Sequence, residues 1–381
     1  MISWELTAEQ RSIQDMVHRF AEKEIRPLAQ QMDETGETDP GLLDKAKELG
    51  LQGCTVPTEY GGGGLDAITA CIIAEELGWG CAGFSLNLVE DWASSIPLVL
   101  LGTEEQKRKW LPRVTEEGKL IGMAITEPNA GCDVGNIATT ARKQGDYYLL
   151  NGTKHFITNG GRSDFYTVFA TLDRSKGSRG LTAFLVEQDT PGFSIGKMEN
   201  KMGVRCSATA ELILEDVRVP KENLMGKEGG GFRLAMLMLD YGRVYVPAIN
   251  VGLARAAFEE SVKYAQERVQ FGKPIGVNQG VSFKLADMAT KIQAARHLTW
   301  HAAWLLDQKK SFSAESAMAK WYASDMAMQV TSDGVQIFGG AGYMKDFPLE
   351  KWMRDAKIFQ IFIGTNEIQQ IVIAKHLMPQ L

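Results

Sequence analysis

The sequence has few cysteines, and their spacing predicts neither a crosslink nor a metal site. The five are Cys54, Cys71, Cys81, Cys132 and Cys206, and no two of them form a Cys-x-x-Cys pair. Disulfide frameworks and structural zinc sites usually need paired or closely spaced cysteines. We therefore expect no metal, and a protein of the reducing cytoplasm.

The sequence also lacks a long apolar run and an excess of positive charge. Its longest apolar stretch, around residues 96–101, is far shorter than the roughly 20 residues that cross a bilayer. The N-terminus has no basic segment followed by an apolar one, so we expect no secretory signal. Lys and Arg number 41 against 47 Asp and Glu, for a formal net charge of −6. Nucleic acids and membranes are therefore not expected partners.

The order of helical and strand patterns divides the chain of 381 residues into three parts. Apolar residues first recur at helical spacing, then give way to short strand-favouring runs separated by turns such as Asn151-Gly152, and finally return to helical spacing. We predict an α+β fold with an N-terminal α-helical domain (1–117), a middle antiparallel β barrel or sandwich domain (118–228) and a C-terminal helical domain (229–381).

Two helix starts are explicit in the first part. Thr7 precedes Gln10 by three residues and Thr103 precedes Gln106 by three, a spacing at which each side chain can cap the other's main chain. The helix that begins after Thr103 should end near Pro112, because proline has no N–H to donate.

Two short motifs carry the strongest functional signal: Thr126-Glu127-Pro128-Asn129-Ala130-Gly131 and Lys154-His155-Phe156-Ile157-Thr158-Asn159. A loop of small residues offers N–H groups to carbonyl and phosphate oxygens, and threonine hydroxyls can both donate and accept hydrogen bonds. Together the motifs resemble the signature segments of the acyl-CoA dehydrogenase family. The resemblance covers essentially the whole chain, through further segments such as Lys201-Met202-Gly203-Val204-Arg205, Glu267-Arg268-Val269-Gln270-Phe271-Gly272 and Gly339-Gly340-Ala341-Gly342-Tyr343.

The resemblance implies an enzyme that oxidises acyl-CoA thioesters with FAD, on a fold that ends in a four-helix bundle. It also implies a homotetramer, a dimer of dimers, since FAD in this family contacts two subunits, and an electron-transferring flavoprotein as the electron acceptor. Family positions that contact the cofactor correspond to Ile125, Thr126, Cys132, Phe156, Thr158, Arg268, Gln270, Phe271, Gln279, Gln336, Gly340, Thr365 and Glu367. Those expected at the substrate are Cys132, Asp240, Arg243, Ile363 and Gly364.

Some of these positions leave an alternative open or depart from the family. Asp240 and Arg243 also have the spacing of an i,i+3 ion pair on a helix surface. Phe156 stands where many relatives have tryptophan, and either ring can stack on a flavin. Cys132 replaces a usual serine, so its hydrogen bond to the cofactor or thioester should be weaker.

The main departure concerns the catalytic base. In ordinary relatives a glutamate just before a Gly-Thr-Asn-Glu segment removes the proton α to the thioester, and this chain has Ile363 there. Some relatives carry the base on a helix just before an arginine, where this chain has Gly242. Neither residue can accept a proton. The main-chain N–H at position 363, which in the family polarises the thioester carbonyl, is retained.

An acidic pair, Glu90-Asp91, lies instead in the segment that corresponds to the far end of the acyl pocket. Successive helical residues differ by about 100°, so we expect one of the two to face solvent or an interface. We predict that Asp91 is the catalytic base, because it aligns with a pocket-lining asparagine of relatives, and that burial beside Trp92 raises its pKa. An acidic pair on an exposed helix face is the alternative.

A base at the far end of the pocket selects the chemistry. In cyclohex-1-ene-1-carboxyl-CoA, C1 has no proton, while the C3 proton is acidified through the conjugated carbonyl. Removal of that proton by Asp91, with hydride transfer from C6 to flavin N5, is a 1,4-elimination that gives cyclohexa-1,5-diene-1-carboxyl-CoA. The sequence is in this respect similar to the cyclohex-1-ene-1-carboxyl-CoA dehydrogenases, an unusual branch of the family that serves anaerobic aromatic metabolism.

Three alternatives remain at this point. The first is 1,2-dehydrogenation of cyclohexanecarboxyl-CoA or another saturated acyl-CoA, with the substrate in a different pose. The second belongs to another class, a non-catalytic scaffold protein with bound FAD, which the loss of both usual bases permits. The third is an acyl-CoA oxidase, although oxidase chains are usually much longer.

Overall fold

The structure is a computed structural model and describes residues 5–378. The first third of the chain is helical, and α1 continues into α2 through a π-helical turn. The helices are α1 (Ala8–Phe20), α2 (Arg26–Thr35), α3 (Pro40–Glu48), α4 (Ala67–Gly80), α5 (Ala82–Leu101) and α6 (Glu104–Thr115).

Local capping signals are confirmed, whereas the predicted end of α6 is wrong. Thr7 Oγ1 accepts a hydrogen bond from the N–H of Gln10, whose side chain accepts one from the Thr7 N–H, and α6 begins with the same arrangement. The latter helix continues through Pro112 to its last residue, 115. Trp110 and Val114 are fully buried in the core on either side of the proline, so packing compensates for the missing N–H.

The middle of the chain forms one eight-stranded sheet, in the order β6-β7-β3-β2-β4-β5-β8 with β1 paired to β4. The strands are β1 (Ile121–Ala124), β2 (Thr140–Gln144), β3 (Tyr147–Thr158), β4 (Phe165–Thr171), β5 (Leu181–Glu187), β6 (Phe193–Met198), β7 (Thr209–Pro220) and β8 (Leu224–Met225). Most pairs are antiparallel as predicted. The β1–β4 pair, and one residue pair between β2 and β4, are parallel. The roughly 40-residue connection between β1 and β4 is long enough to return the chain in the same direction.

The last third of the chain is again helical. Its elements are α7 (Gly231–Glu267), the short hairpin β9 (Val269–Gln270) and β10 (Lys273–Pro274), α8 (Gln279–Asp307), α9 (Ser313–Phe338), α10 (Gly340–Tyr343), α11 (Leu349–Ile358) and α12 (Asn366–Leu377). Helix α9 packs against α7, α8, α11 and α12, which gives the helical bundle its centre. Among residues 5–378, no helix is both long and apolar enough to span a membrane.

Helices α4 and α7 cross closely and bring the two helical regions together. A Cβ added to Gly78 would lie 2.7 Å from the carbonyl oxygen of Ile249, so only glycine allows this approach. Helix α5 follows α4 after a single residue, Cys81, and packs on one side against α7 and on another against β1. Residues of α5 are therefore enclosed between the C-terminal bundle and the sheet.

Candidate active site

The two signature motifs lie side by side. The N–H of His155 donates to the carbonyl of Thr126 at 2.8 Å, and Lys154 Nζ donates to the carbonyl of Ile125 at 3.1 Å. Lys154 is buried and also forms an ion pair with the buried Glu127 at 2.7 Å. The main chain of the first motif is thus held against strand β3. The sequence analysis did not single out the Lys154–Glu127 pair, although both residues lie in the motifs.

Phe156 projects out of the sheet beside this loop. The register between β3 and β7 shifts between Lys154 and Ile157, and Phe156 takes a positive φ of 57°. Its ring stacks on His155 at 3.9 Å between centroids and remains 58% exposed. Thr158, two residues on, is the last residue of β3. An exposed aromatic face next to the small-residue loop of the first motif fits the ring of a flavin.

The residues predicted to hold the ADP half of FAD form a separate group on the C-terminal region. Arg268 follows the end of α7, Gln270 lies in β9, and Gln279 is the first residue of α8. Phe271, at the hairpin turn, has a φ of 51° and is 99% exposed. Among the described residues, no hydrogen bond joins this group to the two motifs. A fully exposed phenylalanine beside an arginine suits a ligand with an aromatic base and a pyrophosphate.

Gln336 and Gly340 line a shallow cavity of about 450 Å³ between α9 and α10, together with Val335, Gly339 and Tyr343. A Cβ added to Gly340 would meet no atom within 4 Å, so the main chain there is open to a ligand. The residues present therefore fit FAD in two separate halves, one near the sheet and one on the bundle.

Asp240 and Arg243 form the expected pair, with Arg243 Nη1 donating to Asp240 Oδ1 at 3.0 Å. The pair is not on the surface, because the Arg243 side chain is only 4% exposed. Its Nε donates to the carbonyl of Ile363 at 3.0 Å and so ties α7 to the loop before α12. Burial, the largest influence, lowers the pKa of Arg243, and Asp240 opposes that effect.

The loop that carries Ile363 and Gly364 has two residues with positive φ, 48° and 90° respectively. The carbonyl of Gly364 accepts hydrogen bonds from Lys320 Nζ at 2.9 Å and from Gln369 Nε2 at 2.8 Å. Burial lowers the pKa of Lys320 to about 7. The sequence analysis missed both donors. For Lys320, the signal in the sequence was a lysine within an alanine-rich helical segment, between Ala319 and Ala323.

Three further predicted positions surround this loop. Thr365 precedes α12 and Glu367 lies in its first turn, where Glu367 is exposed. Cys132 is also exposed, and it lies close enough to Lys320 that a negative charge there would raise the pKa of the lysine. The loop after the first motif therefore lies near the loop before α12.

Both members of the acidic pair on α5 are buried, with exposed fractions of 7% for Glu90 and 0% for Asp91. The expectation that one of them faces solvent or an interface is wrong for the described structure. The reason is that α5 is enclosed by the sheet on one side and the bundle on the other. The alternative of an acidic pair on an exposed helix face is excluded with it.

Asp91 has a single hydrogen-bond donor among the described residues. Its Oδ1 accepts from the N–H of Ile121 at 3.1 Å, while its buried Oδ2 has no partner. Burial raises the pKa of Asp91 to about 8, against the lowering effect of the Ile121 bond, and the charge of Glu90 raises it further. Glu90 accepts from the hydroxyl of Ser94 at 3.0 Å, and burial raises its pKa to about 7. Helix α5 thus holds two buried carboxyl groups whose pKa values are both raised towards neutral pH.

Gly242 lies inside α7 and is buried, yet a side chain there would have room. An added Cβ would meet only the Cβ of Ala93, at 3.9 Å. In the position where some relatives carry their base, this chain leaves interior space between α7 and α5.

Comparison with known proteins defines the class. Three family models match along the chain: the acyl-CoA dehydrogenase N-terminal domain over residues 7–118, the middle domain over 122–217 and the C-terminal domain over 229–378. An acyl-CoA dehydrogenase of Bacillus subtilis is 47% identical over 374 residues, which cover 98% of this chain and 99% of that protein.

Solved structures agree with this assignment. Butyryl-CoA dehydrogenase from Megasphaera elsdenii superposes with a TM-score of 0.97 at 45% identity, covering 99% of this chain and all of that one. A chain solved in work on the electron transferring flavoprotein of Acidaminococcus fermentans gives a TM-score of 0.97 at 47% identity, with 99% and 100% coverage. The protein belongs to the acyl-CoA dehydrogenase family. It is an FAD-dependent oxidoreductase that acts on the CH–CH group of acyl-CoA thioesters.

Proposed function

We propose that the protein dehydrogenates a cyclic acyl-CoA by 1,4-elimination, converting cyclohex-1-ene-1-carboxyl-CoA to cyclohexa-1,5-diene-1-carboxyl-CoA. Asp91 takes the C3 proton. Bound FAD supplies the hydride acceptor, N5, for the hydride that leaves C6. The proton and hydride that leave account for the two hydrogens lost. The ring gains one double bond, and the double bond already present shifts its position.

The observation that carries this proposal is the state of Asp91. A fully buried carboxyl group with one unpartnered oxygen and no neighbouring cation is costly to maintain, and such groups cluster where chemistry needs them. A pKa of about 8 lets it accept a proton in slightly alkaline solution and release it again afterwards.

The residues at the two usual base positions support a reaction away from the α carbon. Ile363 and Gly242 leave an α proton without an acceptor at either place.

Polarisation of the thioester carbonyl supports the same chemistry. A hydrogen bond from the Ile363 N–H to the carbonyl oxygen draws electron density from the conjugated double bond, and this makes the C3 proton more acidic. Asp240 and Arg243, tied to the loop from α7, lie where the pantetheine of CoA enters. Cys132 and Gly364 complete the proposed substrate contacts.

A second candidate function is 1,2-dehydrogenation of a saturated acyl-CoA, cyclic or linear. It is favoured by the likeness to butyryl-CoA dehydrogenase of Megasphaera elsdenii and to a short-chain specific acyl-CoA dehydrogenase of the same organism, 45% identical. A non-catalytic FAD-bound scaffold is a further alternative, and it would have no use for a buried Asp91 with one unpartnered carboxyl oxygen.

The proposed assembly and electron acceptor follow the family. The exposed Phe271 and the separation of the two FAD-fitting groups support a homotetramer, a dimer of dimers, in which each FAD is shared by two subunits. The likeness to a chain solved in work on an electron transferring flavoprotein supports a flavoprotein of that kind as the acceptor. The domain limits 1–117, 118–228 and 229–381 and a cytoplasmic location are also parts of this proposal.

The test is anaerobic mixing of the FAD-loaded enzyme with cyclohex-1-ene-1-carboxyl-CoA, cyclohexanecarboxyl-CoA or butyryl-CoA, with flavin bleaching and product identification. We expect the cyclohexene thioester to bleach the flavin and yield the 1,5-diene. The variant Asp91→Asn should bind the thioester without bleaching. Glu90→Gln is the matched control, since it neutralises the neighbouring buried acid, and it should keep measurable bleaching.

Other outcomes assign other functions. Preferred bleaching by a saturated thioester would replace the proposal with 1,2-dehydrogenation. Full activity of Asp91→Asn would remove Asp91 as the base. An absence of bleaching with every thioester would favour the scaffold.

A further inference from the structure

The loop before α12 adopts a backbone conformation that its sequence disfavours. Ile363 has a φ of 48°, in the left-handed region where a β-branched side chain is an outlier. A strained residue of this kind persists only where its surroundings fix it, and such strain is concentrated at functional sites. In this chain the side chain at 363 cannot accept a proton, so a base is not what the strain positions.

The carbonyl oxygens of the loop are held by three side chains. Arg243 Nε binds the carbonyl of Ile363, while Lys320 and Gln369 bind the carbonyl of Gly364. The fit around Gly364 is tight, because an added Cβ would lie 2.9 Å from both Arg243 Nη2 and Gln369 Nε2. The loop therefore requires glycine and depends on these donors.

Lys320 is an unusual choice for a purely structural contact. Its side chain is fully buried, and its Nζ donates to the carbonyl of Gly364 and to Oδ1 of Asn366, both at 2.9 Å; among residues 5–378 it forms no ion pair with a carboxylate, and burial lowers its pKa to about 7. Burying an ammonium without a paired carboxylate costs more than burying a neutral donor. Gln369, also buried, supplies a second donor to the same oxygen.

One N–H of the loop, that of Ile363, is left available, whereas those of Ile361 and Phe362 donate to the carbonyl of Ile358. Among residues 5–378, the N–H of Ile363 donates to no other group. With the carbonyls of the loop fixed from one side, this N–H is held ready for an acceptor that the protein itself does not provide.

We propose that Lys320 and Gln369 are positioning residues for carbonyl polarisation: by holding the Gly364 carbonyl, they aim the Ile363 N–H at the thioester oxygen of the substrate. Neither residue touches the substrate. The inference deepens the proposed function and rests on its thioester-polarising step, but not on the substrate being a ring.

Carbonyl polarisation can be measured directly by isotope-edited infrared difference spectroscopy of the FAD-loaded enzyme with [1-¹³C]crotonyl-CoA and [1-¹³C]benzoyl-CoA. Neither thioester is a substrate for the proposed elimination. In the wild type the labelled carbonyl stretch should move to lower wavenumber on binding. Lys320→Met and Gln369→Leu should each lose at least half of that shift, at unchanged FAD content.

The matched control is Lys351→Met. Lys351 is likewise a buried lysine, but it lies on α11 and pairs with Asp355 at 2.5 Å, so its loss removes a buried ammonium without touching the loop. The control should keep the full carbonyl shift. If Lys320→Met does not fold, Gln369→Leu, which removes no charge, decides alone.

Two results would overturn the inference: a wild-type shift in Gln369→Leu, or an equal loss in Lys351→Met. Because crotonyl-CoA is linear, a finding that the enzyme acts on linear rather than cyclic thioesters leaves this test intact. Conversely, bleaching by the cyclohexene thioester together with an unchanged carbonyl shift in both loop variants would retain the proposed function and reject the positioning role.

Discussion

Two buried acids in this protein, Glu127 and Asp91, have opposite surroundings. Glu127 accepts hydrogen bonds from Lys154 at 2.7 Å and from the main-chain N–H groups of Ala138 and Thr139 at 2.6 and 3.0 Å. Burial alone would raise its pKa, but the Lys154 charge and these donors lower it. Asp91 has one N–H donor and no cation in contact, and its pKa rises to about 8.

The difference is the one expected between an acid that stabilises the fold and the base that we propose. A carboxylate with a cation and two N–H donors, such as Glu127, is fixed in its charged form. It holds the loop of the first motif in place. A carboxyl group with one donor can change its protonation state without breaking a network. Both side chains are shielded from solvent, with exposed fractions of 6% for Glu127 and 0% for Asp91, but only Glu127 has a cation beside it among the described residues.

The largest effect is expected from replacing Asp91, the proposed base. Asp91→Asn should lower the rate constant of flavin reduction by the cyclic thioester about 10³-fold, as expected for removal of a general base. Stopped-flow absorbance under anaerobic conditions measures it. The free energy of unfolding should not fall, because asparagine fills the same space without a charge to bury. A large loss of stability would instead place Asp91 with Glu127 among structural acids.

Removal of the buried Lys154–Glu127 ion pair should mainly lower the free energy of unfolding. Lys154→Met leaves Glu127 buried without its cation and should cost about 3–5 kcal/mol of unfolding free energy. Chemical denaturation of the variant and the wild type at pH 7 measures the difference. FAD content should fall as well, because the Ile125 carbonyl loses a donor. An unchanged denaturation midpoint would contradict the comparison.

The contributions of Asp91 and Glu127 to the free energy of unfolding should change with pH in opposite directions. Asp91 must be ionised to accept a proton, so the rate constant of flavin reduction should rise with pH and level off above about 8. For stability, a pKa raised from 3.8 means that the Asp91 contribution declines as pH rises from about 4 to about 8. The Glu127 contribution, with its lowered pKa, is instead lost as pH falls.

Paired pH series separate these contributions. The stability difference between the wild type and Asp91→Asn should shrink or reverse as pH rises to about 8 and be constant above it. A rate constant that does not change between pH 6 and 9 would argue against Asp91 as the base.

The smallest expected effect concerns the strained loop. Ile363→Gly removes the cost of a left-handed β-branched residue and should raise the unfolding free energy by up to about 1 kcal/mol, less what its partly buried side chain contributes. Ile361→Gly is the control, since Ile361 lies in the same loop without a positive φ and should lose stability. Equal changes in both variants would mean that position 363 is unstrained.

Local features were readable from the sequence because they depend on neighbouring residues. The Thr7–Gln10 capping box and the order of helical, β and helical regions all appear as predicted. The position of Asp91 on a helix was also readable. Pro112 was misread, because the buried Trp110 and Val114 hold the helix turn that the proline weakens.

The sequence by itself determined the family, the cofactor motifs and the absence of a base at Ile363 and Gly242, since these follow from which residues stand in which order. Only the tertiary structure decided that Glu90 and Asp91 are both buried and that Lys320 reaches the loop before α12. Helix periodicity assigns a residue to a face, but the charge state of an acid depends on every element packed around it. Here α7 and β1 enclose α5 from two sides, and that enclosure turns an acidic pair into a candidate base.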